Sequence, residues 1–485
     1  MRQNQVHLDA DSIDSDTEIN VGDPISQTLE NMSIIDGLRY WALTTNAPHS
    51  SINIVLKLFK KVQVDVPANA KTLLRTKWNT SLEIAEIGGG QLWYCGFEKC
   101  LINYFCVNKC PTNKLSWSVS IDGLPLHNSS SMQFWPILFT VQELPQAPIM
   151  TAGIFCGPTK PTNLEQYLRP KFEELNWLFT SGITIRRQHV TVKLRVIVAD
   201  TLARSFIKGV VSHNSYERCL KCTVKDTYIH PYRKSDRVVR SVRRDTIMKR
   251  LLIGWRDGVL GRIRWSNKDC EDISVALGKI ALPSEIHRKI RPLKSLKHWK
   301  ASECATILHY AAIVMFEPYL PEDVYQHFML LFCDITLLSS SVYKDHWPLA
   351  GRLLDRFVLE YSDIYGERYV NSNVHNVQHV YEEVQRFGSI SSLSTYPYES
   401  KLHHLKRLIR SGWKSLEQAV NRLSELDEFF ASRAPSMIKL PSIIRKDKIT
   451  TAHVRPNFII QDNPRNCWFL TKDENIVQFH TAKER

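Results

Sequence analysis

Two cysteines and two histidines have the types and intervals that hold a zinc ion. Cys219 and Cys222 enclose two residues, and His375 and His379 enclose three. Cys-x2-Cys with His-x3-His is a tetrahedral Cys2His2 set. The long separation between the halves suits an ion that clips together the two ends of an inserted segment, not a small finger. The apolar spacing from Val374 to Phe387 predicts an amphipathic helix, which puts His375 and His379 one turn apart on one face. Alone they would be ordinary surface histidines; with the cysteine pair, a zinc site is expected. A different chemistry is offered by Asp200, which ends the β-branched run Val196-Ile197-Val198. A carboxylate at the carboxyl end of a buried strand lies where α/β sheets bind ligands.

The elements that must position these residues follow from periodicity. Leu115 to Ile121 alternates apolar and polar residues, as a half-buried strand does, and ends in the turn signal Asp122-Gly123. Phe134 to Val141 and Pro148 to Phe155 predict two more strands. A helix with a capping box from Thr162 to Glu165 follows, with Leu164, Leu168, Phe172, Leu175 and Leu178 at helical spacing. The strand ending at Asp200 and a helix over Leu202 to Gly209 complete the series. Three strands, a helix, a strand and a helix is the order of a ribonuclease H-like core, in which the first and fourth strands are neighbours. Asp122 and Asp200 are then expected close together.

The rest of the chain is read the same way. Ser50 to Phe59 predicts a short helix, and Val64 to Arg75 a second small element. Cys95, Cys100, Cys106 and Cys110 match no common zinc knuckle and read as buried thiols. Ala301–Phe316, Pro321–Leu338 and Leu349–Tyr361 carry strong helical periodicity. Glu399 opens a basic helix with Lys401, His403, His404, Lys406, Arg407 and Arg410. By itself that glutamate complements the helix dipole.

The chain has 485 residues and a formal net charge of +14. Seven acids within the first thirty residues (Asp9, Asp11, Asp14, Asp16, Glu18, Asp23 and Glu30) leave the remainder still more basic. Charge alone allows either a polyanionic partner or a plain soluble protein of high pI. The basic run from Arg233 to Arg250, including Arg240, Arg243 and Arg244, reads equally as a phosphate-contacting segment, a nuclear import signal or a solvated face. The polar, acidic start predicts no secretory signal, and no apolar run reaches membrane-span length. The 11 cysteines therefore predict reduced thiols or metal ligands rather than a disulfide scaffold.

Several segments in order resemble the animal relatives of CACTA (En/Spm-type) DNA transposases. They are Ser120 to His127, Phe155 to Pro161, Ala199 to Arg204, His213 to Cys222, Asn373 to His379, Phe387 to Glu399 and the tail Arg455-Pro456-Asn457-Phe458. The resemblance implies a metal-dependent nuclear enzyme that cleaves and transfers DNA strands. In such enzymes an Asp-Asp-Glu set on a ribonuclease H-like fold binds Mg2+ or Mn2+. By that resemblance Asp122, Asp200 and Glu399 are the catalytic, metal-binding carboxylates. Cys219, Cys222, His375 and His379 hold a structural Zn2+, as in the immunoglobulin-gene recombinase and its transposon relatives. Lys401, Lys406, Arg407, Arg410, Arg240, Arg243 and Arg244 are the expected DNA contacts. The expected partners are DNA and a second copy of the chain, with neither a membrane nor an organic cofactor.

The chain departs from those relatives in two places. Thr201-Leu202-Ala203-Arg204 lacks their usual proline, and the stretch before Met248 lacks an Asp-x-Met-His element. No separate end-recognition module is evident. An inactive, domesticated DNA-binding or interaction protein is therefore the alternative. The expected fold is α/β, a mixed-sheet core interrupted by a large, mainly helical, zinc-stapled insertion. The expected organisation is a disordered acidic tail (1–33), a small helical region (34–112), the first part of the core (113–222) and a basic and helical insertion (223–372). The zinc histidines, catalytic glutamate and closing helices follow (373–432), then a C-terminal tail (433–485).

Overall fold

The computed structural model describes residues 32–127, 130–199, 201–207, 238–240, 244–283, 286, 288–431, 441–446, 449–455, 458–471, 473 and 475–481. The chain divides into two compact units. One comprises residues 1–75, 437–463 and 467–485, and the other residues 76–436 and 464–466.

In the first unit the described N-terminal helices are α1 (Ile34–Thr44), α2 (His49–Lys61) and α3 (Ala70–Leu74). Ser33 and Asn69 start α1 and α3 by accepting hydrogen bonds from the N–H groups of Asp36 and Thr72. The element expected over Val64 to Arg75 is confined to α3, which stops where Arg75 turns left-handed, with φ 57.

The second unit is built on a nine-stranded mixed sheet. Its elements are β1 (Ile84–Ile87), β2 (Gly90–Tyr94), α4 (Phe97–Phe105), β3 (Lys114–Ile121), β4 (Leu124–Pro125), β5 (Gln133–Val141) and β6 (Met150–Gly157). Then come α5 (Leu164–Ser181), β7 (Ile183–Ile185), β8 (Gln188–Ala199), α6 (Thr201–Ile207) and β9 (Val238–Arg240). The strand order is β1-β2-β6-β5-β3-β8-β7, with β4 on β5 and β9 on β8. β5 is antiparallel to both β3 and β6, whereas β8 runs parallel to β3, and β9 parallel to β8.

The β1–β2 hairpin lies where a helical region was expected. Glycine makes it possible: a Cβ on Gly90 would stand 2.2 Å from the Cys156 carbonyl, so only glycine lets β2 close on β6. The cap of α5 also differs from expectation. Asn163, not Thr162, accepts from the Gln166 N–H, and Glu165 pairs instead with Arg169.

β3 has both faces buried, not one. Trp117, Val119 and Ile121 pack with Phe97, Phe139, Tyr167 and Leu178 beneath α4 and α5. Full burial of such a side chain contributes about 2 kcal/mol. The opposite face presents Ser116, Ser118 and Ser120. On that side lie helices from nearly three hundred residues later.

Between them comes a helical region: α7 (Arg244–Asp257), α8 (Asn267–Lys279), α9 (Ala301–Tyr310), α10 (Ala312–Phe316), α11 (Glu322–Ser339) and α12 (Trp347–Tyr365). It has its own core around Trp255, Phe316, Phe328 and Tyr361. The segment expected as one helix from Ala301 to Phe316 breaks at Ala311, where φ is −127.

α13 (Ser372–Val377) and α14 (Val380–Phe387) add Val374, Val377, Val380 and Val384 to the same core. The chain then returns to the sheet with α15 (Tyr396–Arg407) and α16 (Ser415–Ala431). Their residues Leu402, Leu405, Val420 and Leu423 pack on Phe134, Leu138 and Ile154. The second unit is thus a sheet between two helical layers, joined to a helical body.

Five short strands return to the first unit: β10 (Ser442–Lys446), β11 (Ile449–Arg455), β12 (Phe458–Gln461), β13 (Trp468–Leu470) and β14 (Ile476–Gln478). They form antiparallel sheets of three and two strands. Among the described residues no helix is long and apolar enough to cross a membrane.

Candidate carboxylate and histidine sites

Asp122 follows β3 directly. The β3–β5 register places Ile121 opposite Ile137 and Leu124 opposite Phe134, so Asp122 faces Pro136. Proline has no N–H to give, and the ladder is interrupted there. The Gly123 N–H donates to Asp122 Oδ1 at 2.8 Å, which orients the carboxyl group. Ser120 pairs with Val198 across the parallel β3–β8 ladder. Ala199 ends β8, and Asp200, the next residue in the chain, lies outside the described residues.

Glu399 is exposed in the first turn of α15. The Thr395 hydroxyl donates to its Oε1 at 3.1 Å. Its neighbour Tyr398 is buried and fixes the helix. The phenol donates to the Ser118 carbonyl at 2.9 Å and accepts from the Thr140 hydroxyl at 2.9 Å. Ser118 and Thr140 are themselves a cross-strand pair. Burial pushes the Tyr398 phenol up to about 12, so it stays protonated and able to donate. The glutamate's helix is therefore pinned to the strand that leads to Asp122.

Arg195, absent from the sequence expectations, grips the same serine from its other side. Trp117 pairs with Leu194 but Ser118 with Val196, so Arg195 is an extra residue in β8. A bulge of this kind re-aims the side chain. Its guanidinium donates to Ser118 Oγ at 3.0 Å, to Ser392 O at 3.3 Å, to Ser392 Oγ at 2.7 Å and to the Phe387 carbonyl. Burial lowers its pKa, opposed by the nearby Tyr398 and Glu143. Gly388 admits this contact: its φ is +89, and a Cβ would meet Arg195 Nη2 at 3.2 Å. The signal in the sequence was an arginine inside the otherwise apolar end of a strand, Leu194 to Ala199.

His375 and His379 do not share one continuous helix. α13 ends at Val377, and His379 is the N-cap residue of α14. Their rings nonetheless stand 5.2 Å apart between centroids, at 77°. His379 is buried and His375 half-buried. Cys219 and Cys222 lie outside the described residues, and among the described residues no group of three or more His, Cys, Asp or Glu side chains could hold a metal.

The expected DNA contacts are scattered. Lys406 is half-buried, and Arg407 and Arg410 are exposed. Lys401 is half-buried, and burial lowers its pKa, opposed by nearby Asp427 and Cys100. The pKa of Arg410, an exposed residue whose guanidinium is only partly covered, is lowered to about 10 by that partial burial and by Arg422, against Glu425. Arg240 pairs with Ala199 in β9 and Arg244 opens α7, but the side chains of both, like all of Arg243, lie outside the described residues. No known protein family matches the chain, and no characterised protein matches it in sequence.

Proposed function

We propose that the chain is a transposon-derived DNA transposase on a ribonuclease H-like core, cleaving and transferring DNA strands through Asp122, Asp200 and Glu399. One observation carries this reading. An antiparallel run β3–β5–β6 is extended by parallel β8 and β9, with an aspartate immediately after each of the adjacent parallel strands β3 and β8. The helix bearing Glu399 docks on those strands through Tyr398. This strand order, with an aspartate next in sequence after each of two neighbouring parallel strands, supports the ribonuclease H-like reading.

The donor set is all carboxylate, which suits a hard divalent cation. Asp122, Asp200 and Glu399 would hold Mg2+ or Mn2+, which supplies Lewis acidity at a phosphodiester. The protein's own residues orient this set: the Gly123 N–H holds Asp122, and Thr395 and Tyr398 hold Glu399 and its helix. Lys406 and Arg407, on the helix of Glu399, would contact the DNA backbone and make binding salt-sensitive. Arg410, Arg240, Arg243 and Arg244 would extend that contact, with Lys401 the weakest member of the set.

Zinc on Cys219, Cys222, His375 and His379 would staple the helical region to the core. Two imidazoles on one tetrahedral zinc stand with centroids about 5 Å apart, and the 5.2 Å between His375 and His379 suits this. The setting is the nucleus, and pairing two DNA ends would require a homodimer.

The test is cleavage of a labelled DNA duplex in Mg2+ or Mn2+ by the wild type, Asp122→Asn, Asp200→Asn and Glu399→Gln. Activity lost in all three variants is the expected result. Cleavage unchanged in the variants rejects the assignment. Folded protein that binds DNA in a salt-sensitive way without cleaving it, across substrates with and without terminal repeats, selects the inactive DNA-binding descendant instead.

A further inference from the structure

We propose that Cys95 and Cys100 form a reactive dithiol site, which a small-molecule disulfide converts into an intramolecular disulfide. Neither cysteine belongs to the carboxylate set, although Cys100 lies near Lys401 on the Glu399 helix.

Both cysteines hang from consecutive residues of one strand. Cys95 follows β2, and its N–H donates to the Ala152 carbonyl of β6 at 2.8 Å. Cys100 lies in α4, with its Sγ 3.5 Å from the neighbouring Thr151 carbonyl. Gly96, at φ +91, turns the chain back between them. The thiols meet in a shared side-chain hydrogen bond.

The charges around the pair divide the labour. The hydrogen bond from Cys100 holds the Cys95 thiol below its ordinary range, with help from Lys99 and Lys77 and against burial and Asp427. Cys100 is raised by the same bond and by its burial. Cys95 is therefore the attacking sulfur and Cys100 the resolving one. The other described thiols differ: Cys106 is exposed with no resolving partner described, and burial pushes Cys156 up to about 11.

The chemistry balances as ordinary exchange. The Cys95 thiolate attacks a sulfur of oxidised glutathione, forms a mixed disulfide and expels one glutathione thiolate. Cys100 then gives up its proton, attacks the Cys95 sulfur and expels the second. Two protein thiols are oxidised, one glutathione disulfide is reduced, and the two protons released end on the two glutathione thiols.

The experiment treats the reduced full-length protein with oxidised glutathione under native conditions, then digests it after lysine. Cleavage after Lys99 separates Cys95 from Cys100, and because the peptide 100–109 also holds Cys106, the bond is assigned by forming the linked pair in Cys106→Ser as well. The linked pair should form, and Cys95 should react roughly tenfold faster than Cys106. In Cys100→Ser the reaction should stop at glutathione on Cys95, and in Cys95→Ser Cys100 should stay largely unmodified. Absence of the linked pair from wild-type protein overturns the proposal, as does a Cys106 that reacts as fast as Cys95.

Discussion

The phenol of Tyr398 donates to the carbonyl of Ser118, joining residues 280 positions apart. Arg195 holds the hydroxyl of the same serine. One residue in the middle of β3 thus receives two ties. One comes from the helix that carries Glu399, and the other from the bulged strand that leads to Asp200. Arg195 also holds the 387–392 segment through Phe387 and Ser392. That segment connects the two histidines to the glutamate.

Tyr398→Phe removes one hydroxyl and leaves the Ser118 carbonyl and Thr140 hydroxyl without their described partner. The expected loss is about 2 kcal/mol with the fold retained. Urea unfolding with an unchanged slope and a lower midpoint checks it. If the carboxylate reading holds, cleavage falls by more than stability does, because Glu399 loses its anchor.

Arg195→Met leaves up to four acceptors unpaired and should cost about 3 kcal/mol. The damage should be local. Hydrogen exchange is expected to speed up across 387–399 while β5 and β6 keep their protection. Arg195→Lys should restore only part of it, since one ammonium cannot span Ser118, Phe387 and Ser392 as a planar fork does.

Zinc content tests the histidine pair without reference to activity. The purified protein should carry one zinc per chain, and His379→Ala and Cys222→Ser should each abolish it by elemental analysis. Retention of zinc in both variants would remove the staple from this fold.

Lys171 is 2% exposed, lies over the rings of Tyr94 and Tyr167 at 5.0 Å each, and makes no hydrogen bond. Burial lowers its pKa from 10.5 to about 8. The folded state thus prefers the neutral amine: stability is greatest above 10.5 and is lost as pH falls through about 8. The change amounts to about 3 kcal/mol. Lys171→Met should erase this slope, as measured by urea midpoints on either side of the interval.

Asp334 is fully buried in α11, and among the described residues neither oxygen has a well-formed hydrogen bond. Burial raises its pKa well above 3.8, and the nearby Ile335 N–H offsets this only in part. A raised folded pKa means that stability is full below the unfolded value and is lost as pH rises through the folded one. Asp334→Asn should therefore be more stable than wild type at neutral pH, and the difference should close in acid. A constant gap across that range would show that the carboxyl does not titrate on unfolding.

The strands over Leu115–Ile121, Phe134–Val141 and Pro148–Phe155 were legible because side-chain period is local and each residue carries its own polarity. The same was true of the helices over Ser50–Phe59, Pro321–Leu338 and Leu349–Tyr361. The β1–β2 hairpin was not legible: its strands are short, and its place beside β6 depends on what Gly90 omits. The split between α13 and α14 was hidden because the valines keep their spacing across it. Arg195 was passed over because a bulge arises only when two strands are paired, and neither strand specifies it alone.

Composition, periodicity and the positions of Asp122 and Glu399 at the end of a strand and the start of a helix are properties of the chain itself. They determined the α/β class, the order of the core elements and which side chains could do chemistry. The tertiary structure alone decided that the serine face of β3 is covered. It also decided that Tyr398 and Arg195 meet at Ser118, that Lys401 is half-buried, and that Cys95 and Cys100 contact the consecutive residues Ala152 and Thr151. Each of these depends on partners brought together from other strands or helices, and a hydrogen bond or buried charge acquires its energy only from that partner and the water it excludes.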